Sequence, residues 1–192
     1  MVDHPSTLLR PDDLLRHLRD LRTHTHEGAV SRSDKEALYR RAVDLLTPVA
    51  RSVLDAANAA FLDGTGDVRV VGPVDDGYGG LVSMFELSWP EQRAGSVVRG
   101  PRGPLQPVRI VAHYGDTFHH PHLAASDIGD WPLQVTSPAD ARRQEGVLAA
   151  IVERELHQRI YESDWHIIPA ARRDDVDRGR DTSGDGGGDD RP

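Results

Sequence analysis

An apolar residue returns every three or four positions from Leu38 through Ala42, Leu45, Val49, Val53 and Ala57 to Phe61. A stripe of that length fixes this part of the chain as one long amphipathic helix, which must find a partner surface to cover it. Ser33-Asp34-Lys35-Glu36 has the spacing of a capping box, so the helix is expected to open at Ser33. Pro48 lacks an amide hydrogen and predicts a kink near Leu45. Asp63-Gly64-Thr65-Gly66 supplies the stop. A second helix is expected over Pro138–Glu162, with Ser137 as cap, Pro138 in its first position and Gly146 as a weak point. Its core stripe is Ala141, Leu148, Ile151, Val152, Leu156 and Ile160.

The partner surface lies between these helices. Val68–Val71, Leu81–Trp89, Val108–Tyr114 and Trp131–Val135 are β-type segments, and turn-rich residues such as Asp75-Asp76-Gly77 separate the first two. Glu91–Pro107, rich in Gly, Arg and Pro, reads as an exposed loop, and Trp165–Pro169 as a terminal extended piece. Helix, about four strands and helix make an α+β domain with an antiparallel meander over residues 33–172. Leu45, Phe85 and Ile151 are expected in its core. Residues 1–32 form an N-terminal extension, with a short helix over about 11–22 marked by Leu14, Leu18 and Leu21.

The chain ends in residues 173–192, where seven Asp, four Arg and five Gly accompany a single aliphatic residue, Val176. Such a segment cannot bury enough surface to offset its ordering entropy, so an acidic disordered tail is expected. Without it the net charge moves from −8 to −5, still an acidic body and not the clustered basic face that nucleic acid requires. The absence of cysteine excludes disulfides, thiolate metal sites and a cysteine nucleophile. No stretch has the length of a membrane span and no leader pattern opens the chain, so a cytoplasmic protein is expected. Only one of the 23 basic residues is Lys, a bias that points to a high-GC bacterial genome.

Chemistry concentrates after the third strand. Three of the ten histidines, His119, His120 and His122, fall within four positions, between Phe118 and Asp130-Trp131-Pro132. Imidazoles at this density suit a divalent metal, with His113, His166, Asp116 or Asp127 completing a set. The competing reading is structural: one histidine ties the turn to the backbone and the others face solvent. His24-Thr25-His26-Glu27 follows a polar helical segment and not a buried strand, which weakens it as a metal motif. Glu153 and His157 form a surface pair at helical spacing. Ser88, Ser126 and Ser137 lack a nucleophile-elbow context, and Gly64-Thr65-Gly66 lacks the Lys-Ser/Thr of a phosphate loop. The Arg93, Arg99, Arg102 and Arg109 stretch reads as a solvated loop.

Several fragments, in order, resemble the ubiquitin-conjugating enzyme fold over about residues 34–160. Gly72-Pro73 is followed at the family's spacing by Asp75 and Tyr78. Gly79-Gly80 leads to Glu86-Leu87-Ser88-Trp89-Pro90. His120-Pro121-His122-Leu123 stands where the family has a His-Pro-Asn turn, and Gly129-Asp130-Trp131-Pro132-Leu133 where it has Gly-x-Ile-Cys-Leu. Pro132 thus replaces the thioester cysteine and His122 the asparagine, so the resemblance implies a non-catalytic variant.

The expectation that follows is a binding or adaptor protein without a cofactor. It would contact a protein partner, a ubiquitin-like protein among the candidates, through Phe118, His119, His120, His122, Asp130 and Trp131. The alternative is a metal-dependent hydrolase or other histidine-based enzyme built on the same loop. The resemblance also implies that Pro132 lies on an exposed ledge beside the His120-Pro121-His122 turn. His120 should then be buried and bonded to the backbone, and His122 more exposed.

Overall fold

A computed structural model describes residues 11–126 and 130–173. The long helix, α2, runs over Arg32–Phe61, after the helix α1 at Pro11–Thr23. Its cap is Ser31 and not Ser33: the Ser31 hydroxyl accepts from the Asp34 N–H at 3.1 Å and donates to the Asp34 carboxylate at 2.6 Å. Both serines precede acidic residues; Ser31 has the extended backbone that a cap needs. The helix continues through Pro48. Its buried side is Tyr39, Ala42, Val43, Leu46, Ala50, Val53, Leu54 and Ala57. Of the expected stripe, Ala42, Val53 and Ala57 are buried, whereas Leu38, Leu45 and Val49 are half-buried and Phe61 exposed, the next residues Tyr39, Leu46, Ala50 and Leu62 taking the core instead.

The sheet has five strands, not about four: β1 Asp67–Asp75, β2 Leu81–Ser88, β3 Val108–Tyr114, β4 His122–Ala124 and β5 Asp130–Pro132. They pair antiparallel in chain order, a meander without crossovers. β1 extends past Val71 because Gly72 absorbs a register shift between Val71 and Val74. Its φ of +97° suits glycine, and a Cβ there would stand 2.5 Å from the Val82 carbonyl oxygen. Alternation sends Leu81, Ser83, Phe85 and Leu87 of β2, and Val108, Ile110, Ala112 and Tyr114 of β3, into the core. The buried Tyr39 hydroxyl bonds to the Ala112 carbonyl at 2.8 Å and lies 2.9 Å from Ser83 Oγ, which fixes α2 on the sheet.

The Gly/Arg/Pro segment is not wholly an exposed loop. It begins with the short helix α3, Pro90–Ala94, and buries Gln92 and Leu105. The C-terminal helix is two helices, α4 Pro138–Arg143 and α5 Glu145–Glu162, broken at Gln144 beside the expected weak point. Ser137 caps α4 as expected, accepting from the Asp140 N–H at 3.2 Å. α5 packs on α2 and β3 through Leu148, Ile151, Val152 and Leu156. Trp165–Ile167 is a 3-10 turn and not an extended piece. Asp127, Gly129 and the segment 174–192 lie outside the described residues. No described helix is long and apolar enough to cross a membrane.

Candidate metal centre

β3 ends at Tyr114, and the chain turns through Gly115–Pro121 into β4. Arg32, at the first turn of α2, holds that turn: its Nη1 donates to the Gly115 carbonyl at 2.9 Å and its guanidinium lies 3.8 Å over the Tyr114 ring. Gly115 leaves room for the Phe118 ring, which a Cβ would meet at 2.6 Å. Phe118 in turn covers His122, with ring centroids 5.0 Å apart. In the sheet, His113 of β3 stands opposite His122 of β4, which stands opposite Pro132 of β5. Ala112 and Leu123 point into the core, so His113 and His122 share the other face.

That face is covered by α1, the short helix expected over about 11–22, which turns its polar side to the domain. The leucines of α1 point outward, Leu14 at 54% and Leu18 at 49% exposure, while Asp20 is its buried residue. The inward side carries Arg16, His17 and Asp20. His17 meets His120 edge-on at 4.2 Å, and His120 meets His122 at 4.4 Å. Each of these three imidazoles offers one nitrogen, and the three nitrogens lie within 4.8 Å of one another.

Two expectations about the turn fail. His122 is buried, 7% exposed, because Phe118 and α1 cover the face it occupies. His120 is buried as expected, 5% exposed, but its Nδ1 makes no hydrogen bond; the Nδ1 atoms of His17 and His122 are likewise buried and unpartnered. The turn is tied down instead by the Pro121 carbonyl, which accepts from the Leu133 N–H at 3.0 Å. That bond and the His122–Pro132 pairing set Pro132 beside the turn.

Burial lowers the proton affinity of the cluster. It pushes His120 down to about 3, with the neighbouring His122 and His17 adding to the effect, and His122 down to about 4, with His113 adding. His17 is lowered by burial against the opposing pull of Asp20. The rings are therefore neutral at pH 7, the form that donates a lone pair. Asp20 supplies a buried negative charge nearby, held by the Glu27 N–H at 3.0 Å, Gln134 Nε2 at 3.1 Å and Thr25 Oγ1 at 3.2 Å. His26, buried in the tight hairpin after α1, has its Nδ1 3.8 Å from Asp20 and is pushed to about 4 by burial.

The other expected site residues divide. His113 flanks the cluster, stacked on His122 at 5.5 Å, and its Nε2 lies 2.9 Å from the Asp130 carboxylate. His119 is exposed and meets His24 at 4.9 Å. Trp131 is half-buried opposite Leu123 and packs on the core. His166 stacks on Trp165 and pairs with Asp164. The sequence reading missed His17, because the leucine spacing of α1 drew attention to the opposite side of that helix. The signal available was that His17 and Asp20, three apart, share one face.

Comparison with protein-family models, with curated proteins and with solved structures gives no match. The centre therefore rests on its own geometry.

Proposed function

We propose that this chain binds a divalent transition metal through His17, His120 and His122. The carrying observation is the convergence of three imidazoles from two distant segments, each with a buried Nδ1 that lacks a protein partner. An unsatisfied buried polar atom costs about 1–3 kcal/mol, so three together call for a ligand. An ion held at about 2.0–2.1 Å would draw the three nitrogens closer by on the order of an ångström, within reach of side-chain rotation. Imidazole without thiolate suits Zn²⁺ among the common ions.

Three protein ligands also leave a coordination position for water or a substrate atom, the arrangement of catalytic zinc sites as opposed to closed structural ones. No fourth side chain joins the set among the described residues. The reading thus favours metal-dependent hydrolysis or a related Lewis-acid reaction, with the His113–Asp130 pair beside His122 placed to handle a proton. Zinc titration of purified protein should give one tight equivalent. A His120→Ala, His122→Ala double variant should lose it, and Co²⁺ should give the intense visible absorption of a tetrahedral nitrogen site. A wild-type protein that binds neither ion ends this reading.

A second reading follows from the strand pairing of Pro132 with His122 and the bond from Leu133 to Pro121. A helix, an antiparallel meander and C-terminal helices are also what a non-catalytic ubiquitin-conjugating-enzyme-like scaffold needs. On that reading the protein is an adaptor, with a ubiquitin-like protein among the partners to test and with Phe118 and Asp130 at the contact. Stability unaffected by chelation, together with a specific partner lost in Phe118→Ala, would favour it.

A further inference from the structure

We infer that the metal fastens α1 to the domain, so that occupancy of the centre decides whether α1 is docked. The inference rests on the metal reading above and adds to it a role for the helix that supplies His17.

An amphipathic helix ordinarily attaches by burying its apolar stripe. α1 does the reverse: Leu14, Leu15, Leu18 and Leu21 are all exposed and Asp20 is the buried residue. Hydrophobic burial therefore contributes little to its docking, and a 13-residue helix has marginal stability alone. What remains is polar. Arg16 Nη2 donates to the Gln134 carbonyl at 2.9 Å and pairs with Glu27 at 2.9 Å. Gln134 Nε2 donates to Asp20 at 3.1 Å, and Arg143 lies 3.6 Å from Asp13. Lys35 Nζ holds the following hairpin through the His24 carbonyl at 2.7 Å. The Arg16–Glu27 and Arg143–Asp13 pairs reach solvent, so they contribute weakly and salt screens them, which leaves the buried Gln134–Asp20 bond as the firmer polar link.

The three imidazoles are the other link. His17 comes from α1, whereas His120 and His122 come from the end of β3–β4, anchored by Arg32 and by sheet pairing. Two of the three ligands thus sit on β4 and the turn before it, and the third rides on a helix docked by polar contacts. In the metal-free protein their contact sets neutral, hydrogen-bond-poor rings against each other. A bound ion replaces that contact with coordinate bonds that exist only when α1 is docked, so by linkage the ion stabilises the docked state.

Hydrogen exchange of the full chain, with Zn²⁺ alone or with chelator, tests this. Zn²⁺ should slow the amides of Leu18–Thr23 at least ten-fold and leave those of β2 and α5 little changed. His17→Ala should abolish the α1 protection while His120 and His122 retain weaker binding. Zn²⁺ that binds at one equivalent without protecting α1, or that protects all elements equally, overturns the fastening role and leaves the metal reading standing. Failure of the wild-type chain to bind Zn²⁺ overturns both.

Discussion

The His17 and His120 rings meet edge-on at 4.2 Å, with one residue on the first helix and the other just before the fourth strand. The contact joins an element whose leucines face outward to the turn that leads into β4, and it does so through two groups whose Nδ1 atoms find no hydrogen bond.

Removing one of those groups should help the metal-free protein. His120→Leu deletes an unsatisfied buried nitrogen, so in chelator the variant should be as stable as the parent or more stable by about 1 kcal/mol. With Zn²⁺ the order should reverse, because the parent gains more binding energy than a variant with two of the three imidazoles. Urea unfolding in both buffers checks this, and a loss of several kcal/mol in chelator would mean that His120 has a partner.

Acid should weaken the metal-free fold before its carboxylates titrate. His26 and His122 have folded values of about 4 and His120 of about 3, below the 6.5 of an unfolded chain. The unfolded state then takes up the proton first as pH falls. Their contribution is complete above about pH 6.5 and is lost as pH drops from there towards 4 and 3. Each group can add a slope of up to about 1.4 kcal/mol per pH unit. Denaturation midpoints measured from pH 7.5 to 4 should fall, and a flat profile would show that the three rings are hydrated.

The outward leucines give a prediction opposite to the usual cost of losing a stripe. Leu14→Gln and Leu18→Gln should each change stability by no more than about 0.5 kcal/mol. Phe85→Ala and Leu46→Ala, at fully buried positions, should cost about 3–5 and 2–5 kcal/mol. Leu45→Ala should cost less than Leu46→Ala, since Leu45 is half-buried.

A buried ion pair offers a separate test. Glu155 is fully buried, and one of its oxygens lies 2.9 Å from the buried Arg159 while it also accepts from Ser126 Oγ at 2.6 Å. Glu155→Leu would leave Arg159 its pair with Glu162 at 2.9 Å and longer contacts to the Pro107 carbonyl and Ser126 Oγ, and should cost about 3 kcal/mol. Glu155→Leu combined with Arg159→Met should recover much of that loss in a double-mutant cycle.

Periodicity made α2, α5 and the strands β2 and β3 legible, because there one face is covered and the sequence alternates or repeats accordingly. It failed where coverage is unusual. β4 is three residues long, too short to alternate, and was hidden inside the histidine turn. α1 repeats leucine at helical spacing yet turns that side to solvent, so the rule that apolar means inside pointed away from His17. His120 and His122 were found from their density alone. Their burial depends on α1, Phe118 and β3 arriving from elsewhere in the chain, which local pattern does not encode. Glu155 and Arg159 were missed for a related reason: charges four apart on a helix usually face water.

The meander also sets an order of events. Every strand pairs with its immediate neighbour in the chain, and only the β2–β3 connection, which holds α3, is long, so the sheet can form early. Bringing His17 to His120 requires a much longer loop to close, one that contains α2 and the first three strands, and its two fixed ligands exist only once β4 has paired. Metal uptake would then report the last step of assembly. A chain stalled with β4 unpaired would hold no ion, so loading rate and folding rate should rise and fall together.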